Sequence, residues 1–198
     1  EFAWSKIQPR EGELDFSWLD RAVAILGDHG VKTMMCTFSR TPPPWVFAKY
    51  PEIANRKADG HVRNYGHRYS VCHCNPVFQE LSRKVDQQMI EHYGNNENVI
   101  AWHIDNEIGD GNSCWCELCR KQFVEYLRKK YGSVERLNKL WGDHFWSFAL
   151  SDFQDVPLPN EGNNPALALE YARFQSRVNT DFALWRHDVI RKSSPGRW

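Results

Sequence analysis

Neither sign of charge prevails in this sequence: 25 Lys and Arg stand against 25 Asp and Glu over 198 residues. Nucleic-acid partners draw on a clustered positive excess that displaces counterions, so this balance argues against one. No apolar run approaches the roughly 20 residues that a helix needs to cross a bilayer, which excludes helical membrane spans. Internal repeats, low-complexity tracts and linker-like stretches are lacking too, leaving one domain or a piece of a larger one. Six cysteines in a chain of this length are too few for a disulfide-dense mini-protein. An initiator methionine is also missing. The chain opens Glu1-Phe2-Ala3-Trp4 and is expected to be cut at the front, so no location follows from the lack of a leader. What is abundant is apolar and aromatic: 41% hydrophobic residues suffice for a core, and nine tryptophans suit both cores and flat apolar ligands such as sugar faces.

Periodicity then orders the chain. Phe16, Leu19, Val23 and Leu26 recur at helical spacing before Gly30, which predicts an amphipathic helix over 15–29. Residues 31–38 are β-prone and short, a strand. Thr41-Pro42-Pro43-Pro44-Trp45 reads as neither helix nor central strand, because prolines remove donors and fix φ. From there to Val71 the text is polar and reads as one long ordered loop, a feature that is usually functional in a compact domain. Asn75-Pro76 opens a helix whose buried face is Val77, Phe78, Leu81, Val85 and Met89, ending at Gly94. Val99 to Asp105 is a second strand. Phe123, Leu127 and Tyr131 mark a helix stopped by Gly132, Ser133 caps a short one, and Asn164-Pro165 opens a long one that ends at Pro195-Gly196. Strands alternating with helices predict a parallel α/β sheet. A first strand is expected only as a stub at the chain's start, and a last one begins near Trp198. The two complete strands are too few for a self-sufficient sheet, so the chain is read as a fragment of one domain.

The second strand carries the most chemical information. Alternation puts Ile100, Trp102 and Ile104 on an apolar face that packs under helices, and Val99, Ala101, His103 and Asp105 on the other, graded from small to polar. That gradient suits an inward face opening into a site at the C-terminal end of a parallel strand. Asn106 and Glu107 stand just past that end. A carboxyl part-buried there among aromatics would hold a proton near neutral pH, as the general acid of glycoside cleavage must. The plainer reading is an exposed Glu opening a loop.

Cys114-Trp115-Cys116-Glu117-Leu118-Cys119 is a C-x-C-x-x-C run directly before a helix. Three thiolates this close suit a tetrahedral Zn²⁺ that takes its fourth ligand from elsewhere, and Cys72 and Cys74 are both candidates. Four thiolates leave no open position for water, so such a metal is structural. Buried free cysteines are the alternative; Cys36, mid-strand, is read as a core residue. An independent zinc-binding nucleic-acid module is a rival reading, weakened because basic and acidic residues are interspersed; a non-catalytic zinc-stabilised domain that binds a sugar or protein is a further alternative.

These residues resemble a known family. Glu1-Phe2-Ala3-Trp4-Ser5, Pro9-Arg10-Glu11-Gly12, Phe16-Ser17-Trp18-Leu19-Asp20, Thr41-Pro42-Pro43-Pro44-Trp45, Tyr50-Pro51-Glu52-Ile53, Trp102-His103-Ile104-Asp105-Asn106-Glu107, the cysteine run and Tyr131-Gly132-Ser133-Val134-Glu135-Arg136-Leu137-Asn138 look, in order, like glycoside hydrolase family 42 β-galactosidases. The resemblance covers essentially the whole chain. It implies a (β/α)₈ TIM barrel, present here from the end of strand 2 to the start of strand 5 with zinc-binding loops, whose intact form hydrolyses terminal β-D-galactosides by a retaining double displacement.

By resemblance, Glu107 is the proton donor, Asn106 and Arg68 bind the substrate, and Cys72, Cys114, Cys116 and Cys119 ligate zinc, with Cys74 a spare thiol. The plain readings of Arg68 and Asn106 are a solvated surface arginine and a turn asparagine. Trp4 and Trp45 either wall the sugar site or belong to the core. The loop from Glu107 to Cys114 is slightly shorter than the family's. The family's nucleophile, a second Glu on strand 7, is expected beyond Trp198, so this stretch by itself is expected to be inactive. A cytoplasmic location and a homotrimeric full-length protein are further expectations from the resemblance. Other retaining glycosidases of the same clan, an arabinosidase or a fucosidase, are the alternatives.

Overall fold

The computed structural model describes residues 3–109, 113–142, 145–160 and 164–197. Glu1 and Phe2 of the opening motif, residues 110–112 of the loop between Glu107 and Cys114, and Trp198, where a further strand is expected to begin, lie outside the described residues. Along the chain run α1 (Trp4–Ile7), α2 (Ser17–Asp28), β1 (Thr33–Cys36), α3 (Pro44–Lys49), α4 (Pro76–Tyr93), β2 (Val99–His103), α5 (Glu117–Tyr131), α6 (Val134–Trp141) and α7 (Pro165–Ser193). Short 3₁₀ turns at Pro51–Ile53 and Phe153–Asp155 complete the set.

The helices begin and end where local chemistry says they should. Asn75 accepts hydrogen bonds from the amides of Val77 (2.9 Å) and Phe78 (3.1 Å), with Pro76 in the first turn where its lack of an N–H costs nothing. Ser133 accepts from Arg136 N at 3.3 Å, and Asn164 from Ala166 N at 2.8 Å. Gly132, at φ +77°, ends α5 in a conformation that a side chain resists. The proline run behaves differently from the expectation: Pro44 and Trp45 open α3, because proline is tolerated at the first helical position. The stub expected at the chain's start is, over its described residues, the one-turn helix α1. Trp4 and Ile7, at i and i+3, both turn into the core there.

β1 and β2 pair in parallel, Met35 opposite Trp102 and Cys36 opposite His103. The register shifts between Thr33 and Met34, so Val99 and Ala101 are successive partners and Ile100 is passed over. This overturns the strict alternation. Val99 and Trp102 both face the helices, whereas Ile100 is 51% exposed, because an extra residue in one strand reverses the faces on either side of it. Trp102 and Ile104 keep the predicted apolar face.

Two apolar clusters fill the chain. One lies between the sheet and α1, α2, α3 and α4; the other joins α5, α6 and the buried cysteines. The long α7 serves both, giving Leu167, Tyr171 and Phe174 to the second and Phe182 and Ile190 to the first. Its C-terminal end meets the end of α4 so closely that a Cβ at Gly94 would sit 2.3 Å from the Ser193 carbonyl oxygen. Further along α7, the buried Arg186 Nε donates to Asp86 Oδ2 at 2.7 Å, and Ser39, just past β1, donates to the same oxygen at 2.7 Å. One ion pair therefore ties α4, α7 and the C-terminal end of β1 together. Removing one partner of such a pair strands the other charge, so Asp86→Ala is expected to lower the unfolding free energy by about 3–5 kcal/mol in urea denaturation.

Candidate active site and cysteine cluster

Both strands run parallel, so their C-terminal ends share one edge of the sheet, and the segments after them meet there. Arg40 leaves β1 four residues past its end, and Asp105, Asn106 and Glu107 leave β2. Arg40 is buried and its Nη1 lies 3.5 Å from Asp105 Oδ1. Burial pushes the Asp105 carboxyl upward, and the nearby Arg186 and Arg40 charges oppose this. Asp105 Oδ1 also accepts the Asn106 amide at 2.8 Å.

Glu107 adopts φ +51°, in the left-handed region where an L residue costs roughly 1–2 kcal/mol. Its main-chain carbonyl accepts from Arg40 Nη2 at 3.1 Å. The side-chain Oε2 takes an ion pair from Arg68 Nη1 at 2.5 Å and a hydrogen bond from the Tyr69 hydroxyl at 3.0 Å. The Tyr69 ring lies under both arginines, 4.7 Å from the Arg40 guanidinium and 5.5 Å from that of Arg68. Glu107 and Arg68, named separately from the sequence, thus meet in an ion pair.

Burial departs from the expectation. The Glu107 side chain is 47% exposed rather than sunk among aromatics: it stands four residues past the end of the strand, with Arg68 and Tyr69 as polar partners of its carboxylate. Asn106 is half-buried beside it. Trp4 and Trp45 belong to the interior instead: Trp4 is wholly buried with Nε1 on Gln8 Oε1 at 2.8 Å, and Trp45 donates to the Gln8 carbonyl at 3.0 Å. Arg40 and Tyr69 were not singled out by sequence. For Arg40 the available signal was its place at the end of a parallel strand; for Tyr69 it was adjacency to Arg68.

The sulfurs of Cys72, Cys114, Cys116 and Cys119 all lie within 4.8 Å of one another. Cys72 Sγ is 3.6 Å from that of Cys116 and 3.4 Å from that of Cys119. A tetrahedral ion at about 2.3 Å from each sulfur sets them roughly 3.8 Å apart, so the spacing of the four is compatible with a shared metal. Cys74, buried close by, stays outside this group. Amides feed the sulfurs as well: Arg56 N–H donates to Cys114 Sγ at 3.4 Å, and Cys119 N–H to Cys116 Sγ at 3.5 Å. Tyr171 on α7 donates to the Cys114 carbonyl, with Gln175 Nε2 on the Tyr171 hydroxyl at 2.9 Å. Between Cys72 and this loop, His73 stacks on Phe182 at 4.1 Å with Nδ1 2.9 Å from Asn179 Oδ1, and burial depresses the imidazole to about 3, so it stays neutral.

A family profile described as β-galactosidase matches residues 1–198. Among curated proteins, a β-galactosidase of Halorubrum lacusprofundi is 34% identical over 201 residues, covering 98% of this chain and 29% of its own length. One from Thermus thermophilus is 36% identical over 203 residues, covering 100% of this chain and 32% of its own. Among solved structures, the β-galactosidase of the psychrophilic Marinomonas ef1 superposes with a TM-score of 0.93 at 35% identity, over 100% of this chain and 31% of that one. The chain thus spans about 30% of the length of the relatives it matches.

The contact between Tyr69 and Glu107 is open to direct measurement. Burial first, and then the adjoining carboxylate, hold the Tyr69 phenol above its ordinary value. Neutralising that carboxylate removes a charge that disfavours phenolate, so Glu107→Gln is expected to lower the Tyr69 midpoint in an NMR pH titration of ζ-¹³C-tyrosine protein. An unchanged midpoint would contradict the contact.

Proposed function

The chain belongs to the β-galactosidases of glycoside hydrolase family 42, and from that membership we propose that it is the acid/base portion of a catalytic (β/α)₈ barrel cleaving terminal β-D-galactosides with retention. In this reading β1 and β2 are the third and fourth barrel strands. The observation that carries it is the placement of Glu107: a carboxylate four residues past the C-terminal end of a parallel strand, gripped by Arg68 and Tyr69. Barrel enzymes place their reacting groups at that end.

Glu107 is assigned the proton donor. It protonates the glycosidic oxygen as the bond to the leaving group breaks, then takes a proton from the water that hydrolyses the glycosyl-enzyme. A proton donor must carry its proton, whereas here Arg68 is paired with Oε2. The reading therefore requires sugar hydroxyls to draw Arg68 off the carboxyl when substrate binds, which gives Arg68 a charge-assisted grip on the galactose. Asn106 supplies a second polar contact to the sugar. The partner carboxyl that attacks the anomeric carbon has to stand roughly 5–5.5 Å from Glu107. Among the described residues no other acid is paired with it, and we assign the nucleophile to sequence beyond residue 198.

Zinc is assigned to Cys72, Cys114, Cys116 and Cys119. With four thiolates around it the ion offers no site for water and contributes only to architecture. It fixes the segment that delivers Arg68 and Tyr69, four and three residues before Cys72, against the one that delivers Glu107, seven before Cys114.

Two outcomes test this. The 198-residue chain by itself is expected to release no nitrophenol from a nitrophenyl β-galactoside beyond background; hydrolysis that disappears in Glu107→Gln would place the whole catalytic pair inside this stretch and overturn the assignment. Elemental analysis of the purified chain is expected to find one zinc per molecule, with chelator lowering the melting temperature and Cys116→Ser abolishing stoichiometric binding. A zinc-free chain with the same melting temperature would remove the metal from the account.

A further inference from the structure

Arg40 is oddly partnered for a buried guanidinium. Only 2% of its side chain is exposed, yet Nε has no partner among the described residues and the contact with Asp105 is a single one at 3.5 Å. A buried arginine kept for stability alone is ordinarily saturated with bidentate bonds. Its better interactions go elsewhere: Nη2 donates to the Glu107 carbonyl at 3.1 Å, and the guanidinium carbon lies over the Tyr69 ring, 4.7 Å from its centroid. Tyr69 in turn donates to Glu107 Oε2 at 3.0 Å. Arg40 thus reaches Glu107 by two routes, one to its main chain and one through a ring to its carboxylate.

The mount that holds Arg40 is itself stiff. Ser39 is bonded to the buried Asp86, and Pro42, Pro43 and Pro44 follow Thr41 with fixed φ. Glu107 needs such support, because a left-handed residue without the freedom of glycine persists only where its surroundings over-determine it. We propose that Arg40 is a positioning residue for Glu107, clamping its left-handed main chain and, through Tyr69, the direction of its carboxylate. Its importance for catalysis rests on Glu107 being the proton donor; the clamp itself does not.

The test is NMR on the ¹³C,¹⁵N-labelled 198-residue chain near neutral pH. In the unsubstituted protein the Arg40 Nη–H signals are expected to be separately resolved, since a clamped guanidinium cannot rotate freely about its Cζ–N bonds. In Arg40→Lys, which keeps a cation beside Asp105 but lacks the plane and the fork, the Tyr69 Cζ and Glu107 Cδ shifts are expected to move to those of a Tyr69→Phe and Glu107→Gln reference pair. Amide signals of α5 and α7 should stay in place, which distinguishes lost clamping from general loosening. Averaged Arg40 signals in the unsubstituted chain, or unmoved Tyr69 and Glu107 shifts in folded Arg40→Lys, would overturn the proposal. Should Arg40→Lys fail to fold, the rotation of Arg40 in the unsubstituted chain decides alone. None of these readings depends on turnover, so a failure of the acid assignment would be seen separately, in the hydrolysis assay.

Discussion

Cys72 arrives from one loop and Cys114, Cys116 and Cys119 from another and the first turn of α5 that follows it, and their sulfurs lie within 4.8 Å of each other. Four thiolates that close repel strongly, and burying them without a cation is costly, so the arrangement is self-consistent only with a shared metal or with retained protons. Whichever holds them, Tyr69 stands three residues before Cys72 and Glu107 seven before Cys114 in the sequence. The candidate site is in this sense a near neighbour of the cluster along the chain.

Charge is arranged below the site with comparable economy. Arg186 with Asp86, and Arg40 with Asp105, form two buried pairs of opposite sign whose members come from α7, α4 and the two strand ends. Ser39 links the first pair to the chain just before Arg40. A left-handed Glu107 therefore stands at the end of a polar relay that begins in the helix layer, and its strain is borne by elements with no part in chemistry.

How much of this was legible depended on how local the determining contacts are. The caps at Asn75, Ser133 and Asn164 and the stop at Gly132 were readable because a cap is decided within four residues. The position of Glu107 beyond a strand's C-terminal end was readable because a parallel strand marks that end, and the closeness of Cys114, Cys116 and Cys119 because they share one short run, whereas Cys72 rather than Cys74 beside them was implied only by the family resemblance. The reversal at Ile100 was not, since it arises from the register against β1 rather than from anything in β2 itself. Nor was the grouping of Arg40, Tyr69 and Glu107, whose contacts span 29 and 38 positions. The half-exposed state of Glu107 escaped for a similar reason: burial belongs to whatever surrounds a residue, and no periodicity encodes it.

The length of α7 has a consequence for how the polypeptide is made. Arg186, which neutralises Asp86, and Tyr171, which secures the Cys114 carbonyl, both lie on this last long helix. As the nascent chain leaves the ribosome, the earlier helices and both strands emerge with an uncompensated acid in their interior and an unbraced cysteine loop. Both clusters take buried side chains from residues 165–193, so neither is complete until this helix has emerged.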